Sequence, residues 1–358
     1  MGSTPESSKR GTIGVAFVGR ASITDVVAQA KAAEAAGAAT LWMASHLFLR
    51  DPVTTAHAVL AATRSVKVAL MAMSPYAMHP VSIAMSAAAL DELFPGRVVL
   101  CLGVGAPGDL AAAGIASPHP VPTIREAIQV CRSLFAGETM NHAGTAFNVT
   151  GRRLPNPTDR VPIVLAASGP KMLELAGEEA DGVLISAATS LEFVRWCVAK
   201  TKEGATRRTR PGHCKAMVIV YTRIADDGLA ARNSIRRTMG FILRGAHHAK
   251  NVELAGTALD QKALWDAYRD EHWPIVERLI TDAVINRHAA AGTASEVRKC
   301  YDDYRTLGLD ELIIGGIDDL RGMGAVLATV GWWVGGRRVT GFTAAPISRT
   351  HPVSNRAR

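Results

Sequence analysis

Two short stretches carry residues that could do chemistry. The first is Val161-Pro-Ile-Val-Leu-Ala-Ala-Ser-Gly-Pro-Lys-Met-Leu173, an apolar run that ends in Ala-Ser-Gly before a helix starting at Pro170. Proline suits the first helical position because its missing N–H has no partner there anyway. Small residues just ahead let a ligand approach the backbone. The free N–H groups and positive dipole end of such a helix favour an anion. The stretch therefore reads as a phosphate pocket at the end of a strand, which predicts a phosphorylated cofactor; an ordinary strand–helix turn is the competing reading. Lys171 reads equally as a phosphate contact or a solvated lysine. The second stretch is Thr40-Leu-Trp-Met-Ala-Ser-His46, in which His46 follows a strand. A histidine titrates near neutral pH and can supply or remove a proton. Two roles stand for it: proton transfer, or a hydrogen-bonded structural histidine.

The remaining candidates exclude more than they propose. His79 precedes Pro80 at a helix start, which suits capping or packing. His247-His248 lacks a third ligand, so no metal site is expected. No Gly-x-Ser-x-Gly elbow is present, which argues against a serine hydrolase. Gly103-x-Gly105 lacks the rest of a dinucleotide fingerprint. Met71, Met73, Met78 and Met85 form a methionine-rich group, of which most members read as core filler and one or two as lining for a flat ring.

Positioning these residues requires alternating strands and helices. Apolar runs at Ile13–Val18, Thr40–Ala44, Val66–Met73, Val98–Leu102, Val161–Ala166, Val183–Ser186, Ala216–Thr222 and Leu312–Ile314 read as eight strands. Helical stretches follow most of them, the first at Thr24–Ala36 with Thr24 as its cap. Glycines at the helix-to-strand joints, Gly37, Gly182 and Gly308, read as left-handed helix ends. Continuously apolar strands with helical crossovers predict an α/β fold of the (β/α)8 TIM-barrel type. An open doubly wound sheet is the second reading. Excursions are expected after the fourth strand, at 137–160 (loop or hairpin), and after the seventh, at 225–293 (mainly helical). Flexible tails are expected at 1–10 and 335–358, flanking one domain over 11–334.

Charge and cysteine usage narrow the partners. The net charge is +8, but five arginines without an acid lie in Arg337–Arg358 and one net positive charge lies in Met1–Arg10, leaving +2 for the rest. A nucleic-acid binder should carry its charge on a structured face beside stacking aromatics, so nucleic acid is not an expected partner. No run of about 18 apolar residues suggests a membrane span. Five cysteines, none close to another in sequence, suit buried thiols of a cytoplasmic protein.

Several motifs together resemble the bacterial luciferase-like superfamily. They are His79-Pro-Val with Ala87–Leu93 and Gly96–Gly105; Ile163–Met172 with Leu175–Leu184; and Ala291–Val297 with Gly308–Ile314. Their order spans roughly residues 12–330. The nearest branch resembles methylenetetrahydromethanopterin reductase and other coenzyme F420-dependent oxidoreductases. The resemblance implies a TIM barrel that binds a deazaflavin or flavin at its mouth, transfers a hydride to or from a small organic molecule, and often forms a homodimer.

Mapped onto this sequence, the resemblance makes His46 the proton-transferring residue. Ser45 stands where relatives carry an acid. Met71, Ala72 and Met73 match a bulge with a non-proline cis peptide behind the cofactor ring. Gly105 and Ala106 belong to a loop against the ring, Ser168, Gly169, Lys171 and Met172 match the phosphate-binding turn, and Ser186 matches a residue that faces substrate. Met78 stands where relatives usually carry arginine; some sugar-phosphate dehydrogenases of this branch have a catalytic glutamate close to Gly108, where only Asp109 is near, which argues against that substrate. Three readings follow: an F420-dependent oxidoreductase; an FMN-dependent monooxygenase fed by a separate flavin reductase; and a non-catalytic cofactor-binding homologue, suggested by the departures at Ser45, Met78 and Gly108.

Overall fold

In chain order the apolar runs and their crossovers become β1 (Thr12–Phe17), α1 (Ile23–Ala35), β2 (Thr40–Ala44), α2 (Pro52–Ala62), β3 (Lys67–Met73), α3 (Pro80–Leu93), β4 (Val98–Leu102), α4 (Pro107–Ala112), α5 (Pro120–Phe135), β5 (Asn141–Ala143), β6 (Asn148–Thr150), β7 (Ile163–Ala167), α6 (Pro170–Glu179), β8 (Gly182–Ile185), α7 (Leu191–Ala205) and β9 (Lys215–Ile224). Then come α8 (Gly228–Leu243), α9 (Ala249–Leu254), α10 (Gln261–Arg269), α11 (Trp273–Leu279), α12 (Asp282–His288), β10 (Ala290–Gly292), α13 (Ala294–Arg305), β11 (Glu311–Gly315) and α14 (Leu320–Val330). The structure is a computed structural model that describes residues 11–330 except Ser186 and Asp318, and the backbone of Trp333–Val334 and Arg337–Arg338. The tail 1–10, Ser186 and most of the tail 335–358 lie outside the described residues.

Eight strands close on themselves. β1 pairs with β2, β2 with β3, β3 with β4 and β4 with β7; the ring continues through β8, β9 and β11 back to β1, every ladder parallel. This is a TIM barrel, and closure excludes the open doubly wound sheet. Side chains alternate along each strand. Ala16, Trp42, Cys101, Leu184, Met217 and Ile313 fill the barrel interior, while Val15, Leu41, Leu100, Val183 and Ile314 face the surrounding helices. The stretch 137–160 contains the antiparallel β5–β6 hairpin. Between β9 and β11, helices α8, α10, α11 and α12 enclose an apolar core around Met239, Leu264, Val276 and Ile285. That unit is tied to the mouth end of the barrel, because β10 pairs with Thr222–Ile224 at the end of β9.

Three local expectations need correction. Ser22, not Thr24, caps α1: its hydroxyl accepts from the Asp25 N–H at 3.1 Å. Serine is the somewhat better cap, but threonine also serves, so a pattern with two candidates two residues apart does not by itself choose between them. Gly37 and Gly308 adopt the expected left-handed conformation, but Gly182 does not. Gly182 starts β8, where an added Cβ would lie 2.5 Å from Met217 Cε and 3.1 Å from the Lys215 carbonyl oxygen; it is needed for space, not for φ. The last barrel strand begins one residue early, at Glu311, which turns its carboxylate into the barrel.

Glu311 accepts a hydrogen bond from Trp42 Nε1 at 3.1 Å and is bonded to the Thr40 hydroxyl. Gly14 makes room for it, since a Cβ there would sit 2.3 Å from Glu311 Oε1. Burial dominates those bonds and pushes the carboxyl up to about 7. The folded state thus holds a proton that the unfolded chain releases near pH 4.5. Stability therefore falls as pH rises from about 4.5 to 7 and levels off above, by roughly 3 kcal/mol for a shift of this size. Glu311→Gln keeps an acceptor for Trp42 and removes the ionisable proton. Its stability relative to wild type is expected to rise between pH 5 and pH 8 in denaturant melts; parallel curves at both pH values would refute the assignment.

Candidate active site

The mouth of a parallel barrel lies at the C-terminal ends of its strands, where loop residues converge. At the end of β2, the Ser45 N–H donates to the Met71 carbonyl oxygen at 2.5 Å, joining that loop to β3. The Met71–Ala72 peptide bond is cis, and the β3–β4 register shifts between Leu70 and Met73. Beyond the irregularity, Gly103 N–H donates to Met73 O at 3.1 Å and the Ser74 hydroxyl donates to Val104 O at 2.6 Å. These bonds fix the loop after β4 against the end of β3. Gly103 has no room for a side chain: a Cβ would lie 2.9 Å from Ala72 Cβ and 3.3 Å from Ala166 Cβ. Ala72, Gly103 and Ala166 thus form a floor of small residues across β3, β4 and β7. Gly105 follows at φ +100°, a conformation that only glycine adopts without strain.

That turn launches α4, a helix absent from the sequence reading, and α4 brings Asp109 to His46. His46 Nδ1 lies 3.2 Å from Asp109 Oδ2, both side chains being partly exposed. An ionised Asp109 makes Nδ1 the donor. Nε2 is left to take a proton, or to give one when the ring is protonated. The pair opens on a cleft of about 220 Å³ whose lining includes Ser45, Arg50, Met73, Met78, Gly105 and Ala106. Leu47, Leu49 and Leu110 add apolar walls.

Farther round the rim, β7 ends at Ala167, and Ser168-Gly169 leads into α6. Ser168 is half-buried, Gly169 and Lys171 are exposed, and Met172 is buried. No side chain caps α6. Gly169 has ordinary dihedrals, and nothing lies within 4 Å of a Cβ built on it. The chain at Gly169 is therefore open on its side-chain face, and no side chain competes for the first-turn amides, as a phosphate site requires.

The structure thus brings Ser45, His46, Met73, Gly105 and Ala106 to one cleft, with Met71 and Ala72 behind it. Ser168, Gly169, Lys171 and Met172 lie farther round the same rim, at the end of β7, beyond the floor formed by Ala72, Gly103 and Ala166. Ser186 lies outside the described residues. His79 caps α3, its Nδ1 accepting from Val81 N–H at 3.2 Å, and packs edge-on against Phe147. Cys101, in the barrel interior, has its thiol pushed up by burial and is no nucleophile. Among the described residues no group of three or more His, Cys, Asp or Glu side chains is placed to hold a metal. Sequence reasoning missed Asp109 as the partner of His46 and Arg50 as a cleft residue. The Asp109 contact joins a loop and a helix 63 residues apart and leaves no local pattern.

Comparison with known proteins adds to this geometry. A family model described as luciferase-like monooxygenase matches residues 4–311. The 5,10-methylenetetrahydromethanopterin reductase of Methanolobus tindarius is 27% identical over 309 residues, 85% of this chain and 94% of that protein. The F420-dependent hydroxymycolic acid dehydrogenase of Mycobacterium tuberculosis is 31% identical over 243 residues, 64% of this chain and 67% of that protein. Among solved structures, the coenzyme F420 dependent tetrahydromethanopterin reductase from Methanopyrus kandleri superposes with a TM-score of 0.81 at 20% identity, covering 89% of this chain and 97% of that one. No helix among the described residues is long and apolar enough to cross a membrane.

Proposed function

This chain belongs to the luciferase-like monooxygenase family, and we propose that it is an oxidoreductase transferring a hydride between coenzyme F420 and a small organic substrate. The observation that carries the reading is the His46–Asp109 pair, facing a cleft on the same rim as the uncapped α6. The F420-dependent relatives from Mycobacterium tuberculosis and Methanopyrus kandleri support the choice of cofactor. The reading includes a homodimer, favoured by exposed Met85 and Leu93 on α3, and a cytoplasmic location, favoured by free cysteines.

The residues present fit such a cofactor. The α6 amides around Ser168–Lys171 would hold its phosphate, and the floor of Ala72, Gly103 and Ala166 leaves space for a flat ring. When bound, the deazaflavin supplies a ring carbon that gives or accepts hydride. The protein's part is to orient the substrate, exclude water and manage the accompanying proton. His46 Nε2 exchanges that proton with the substrate oxygen or nitrogen, and Asp109 holds the imidazole through Nδ1.

Gly169→Asp tests the phosphate turn without strain. The new carboxylate has open space and a favourable position at a helix N-terminus, so the melting temperature should hold or rise slightly. The same carboxylate repels a phosphate. F420 affinity, followed by cofactor fluorescence, is expected to weaken at least tenfold, roughly 1.4 kcal/mol. Unchanged affinity would show that the phosphate binds elsewhere. Binding of FMN in place of F420, with oxygen-dependent turnover of reduced FMN, would move the protein to the monooxygenase reading with a flavin reductase as partner. Absence of both would leave a non-catalytic homologue.

A further inference from the structure

Among the described residues that line the cleft, Arg50 is the one cation besides a protonated His46, and none of the described acids pairs with it. Its Nη1 donates to Gly19 O at 3.3 Å and Arg20 O at 2.5 Å, which ties the guanidinium to the loop after β1. Those bonds fix the group without neutralising it, and no ion pair to Arg50 occurs among the described residues. Both acids in the lining are engaged elsewhere. Asp51 caps α2, accepting from Thr54 N–H at 2.6 Å, and Asp109 is taken by His46. Leu47, Leu49, Met78 and Leu110 give the same cleft an apolar wall.

The cofactor's phosphate does not account for this charge. Around the barrel, β3 and β4 separate β2, which carries Arg50 on its loop, from β7, which carries the α6 turn. The two anion-favouring places sit on different sides of the mouth.

We infer that Arg50 anchors a carboxylate of the substrate, whose apolar body lies along Leu47, Leu49, Met78 and Leu110 with its reacting carbon toward His46. A guanidinium with donors to spare matches a carboxylate in a planar, bidentate way. A single cation balances one negative charge, which suits a carboxylic acid better than a phosphate ester. The inference names the substrate class of the site proposed above and rests on that reading for its chemistry, but not for its binding.

The test is a ligand-observed NMR titration with hexanoate and hexanamide, on the wild-type chain with and without F420. The wild type should bind the acid more tightly than the amide, the difference shrinking with added salt. Arg50→Gln should weaken hexanoate at least tenfold and leave hexanamide alone. Arg50→Lys, which keeps the charge but not the fork, should fall between them, and it carries the test if the glutamine variant does not fold. Equal binding of acid and amide to the wild type, or equal loss of both in Arg50→Gln, would overturn the assignment and make Arg50 a strut for the β1 loop. Failure of F420 to bind would sink the cofactor reading instead, since the acid is also measured on cofactor-free protein.

Discussion

Replacing His46 by alanine is expected to slow substrate turnover by about 100- to 10,000-fold, the range that general acid–base groups contribute, while cofactor affinity changes little. The expectation rests on position. His46 is held by Asp109 at 3.2 Å on one nitrogen and opens on the cleft with the other. A structural histidine would be buried between partners, as His288 is between Ala188 and Thr257. His46 is instead 44% exposed, so its removal should leave the melting temperature almost unchanged. Cofactor binding by fluorescence, melting temperature and single-turnover rate separate the roles. A fall in rate with the other two intact marks proton transfer. A rate within about threefold of wild type would remove His46 from the mechanism and transfer the proton's path to water or substrate. Asp109→Asn should give a smaller loss, because the amide can still meet Nδ1 but no longer fixes it as the donor.

Much of this arrangement was legible in the sequence because strand and helix patterns are local. Buried parallel strands are apolar throughout, so all eight barrel strands stood out, and the order of helical crossovers made a closed barrel the first reading. The Ala-Ser-Gly-Pro turn was readable because proline at a helix's first position and small residues before it act through the backbone. The Met71–Ala72 cis bond was expected only through the family resemblance; nothing in the residue types signals it. Contacts between distant segments were hidden. Asp109 was noticed merely as a misplaced acid, yet α4 carries it to His46. Glu311 fell outside the strand read at Leu312–Ile314, but Trp42, Thr40 and the vacancy at Gly14 accept its carboxyl inside the barrel. Arg50 was not singled out, because its bonds to Gly19 and Arg20 join residues 31 and 30 positions apart and leave no local pattern. Charges that function inside a site break the local rule that polar residues face water.

The largest expected effect on stability comes from two glycines that sequence reasoning did not single out, Gly177 in α6 and Gly204 in α7. A Cβ on Gly204 would lie 1.9 Å from the Glu174 carbonyl oxygen and 2.6 Å from its Cα; one on Gly177 would lie 1.9 Å from the Thr201 carbonyl oxygen. The obstacles are backbone atoms, so no rotamer change relieves them. In an unhindered helix, Gly→Ala stabilises by about 1 kcal/mol. At this crossing the sign should reverse, with Gly204→Ala costing about 3 kcal/mol, the upper end of ordinary overpacking. For a barrel of this length that corresponds to a melting temperature lower by roughly 5 °C. The effect should also reach the site, because α6 presents the Ser168–Lys171 turn and can yield only by moving away from α7. F420 affinity should therefore fall in Gly204→Ala although position 204 is far along α7 from that turn. The control is Gly212→Ala. That glycine has φ +82° but nothing within 4 Å of an added Cβ, so it should lose only the modest cost of a left-handed alanine, about 1–2 kcal/mol, with cofactor affinity intact. If Gly204→Ala instead melts at or above the wild-type temperature, the two helices do not approach as closely as described, and the link between their crossing and the phosphate turn is lost.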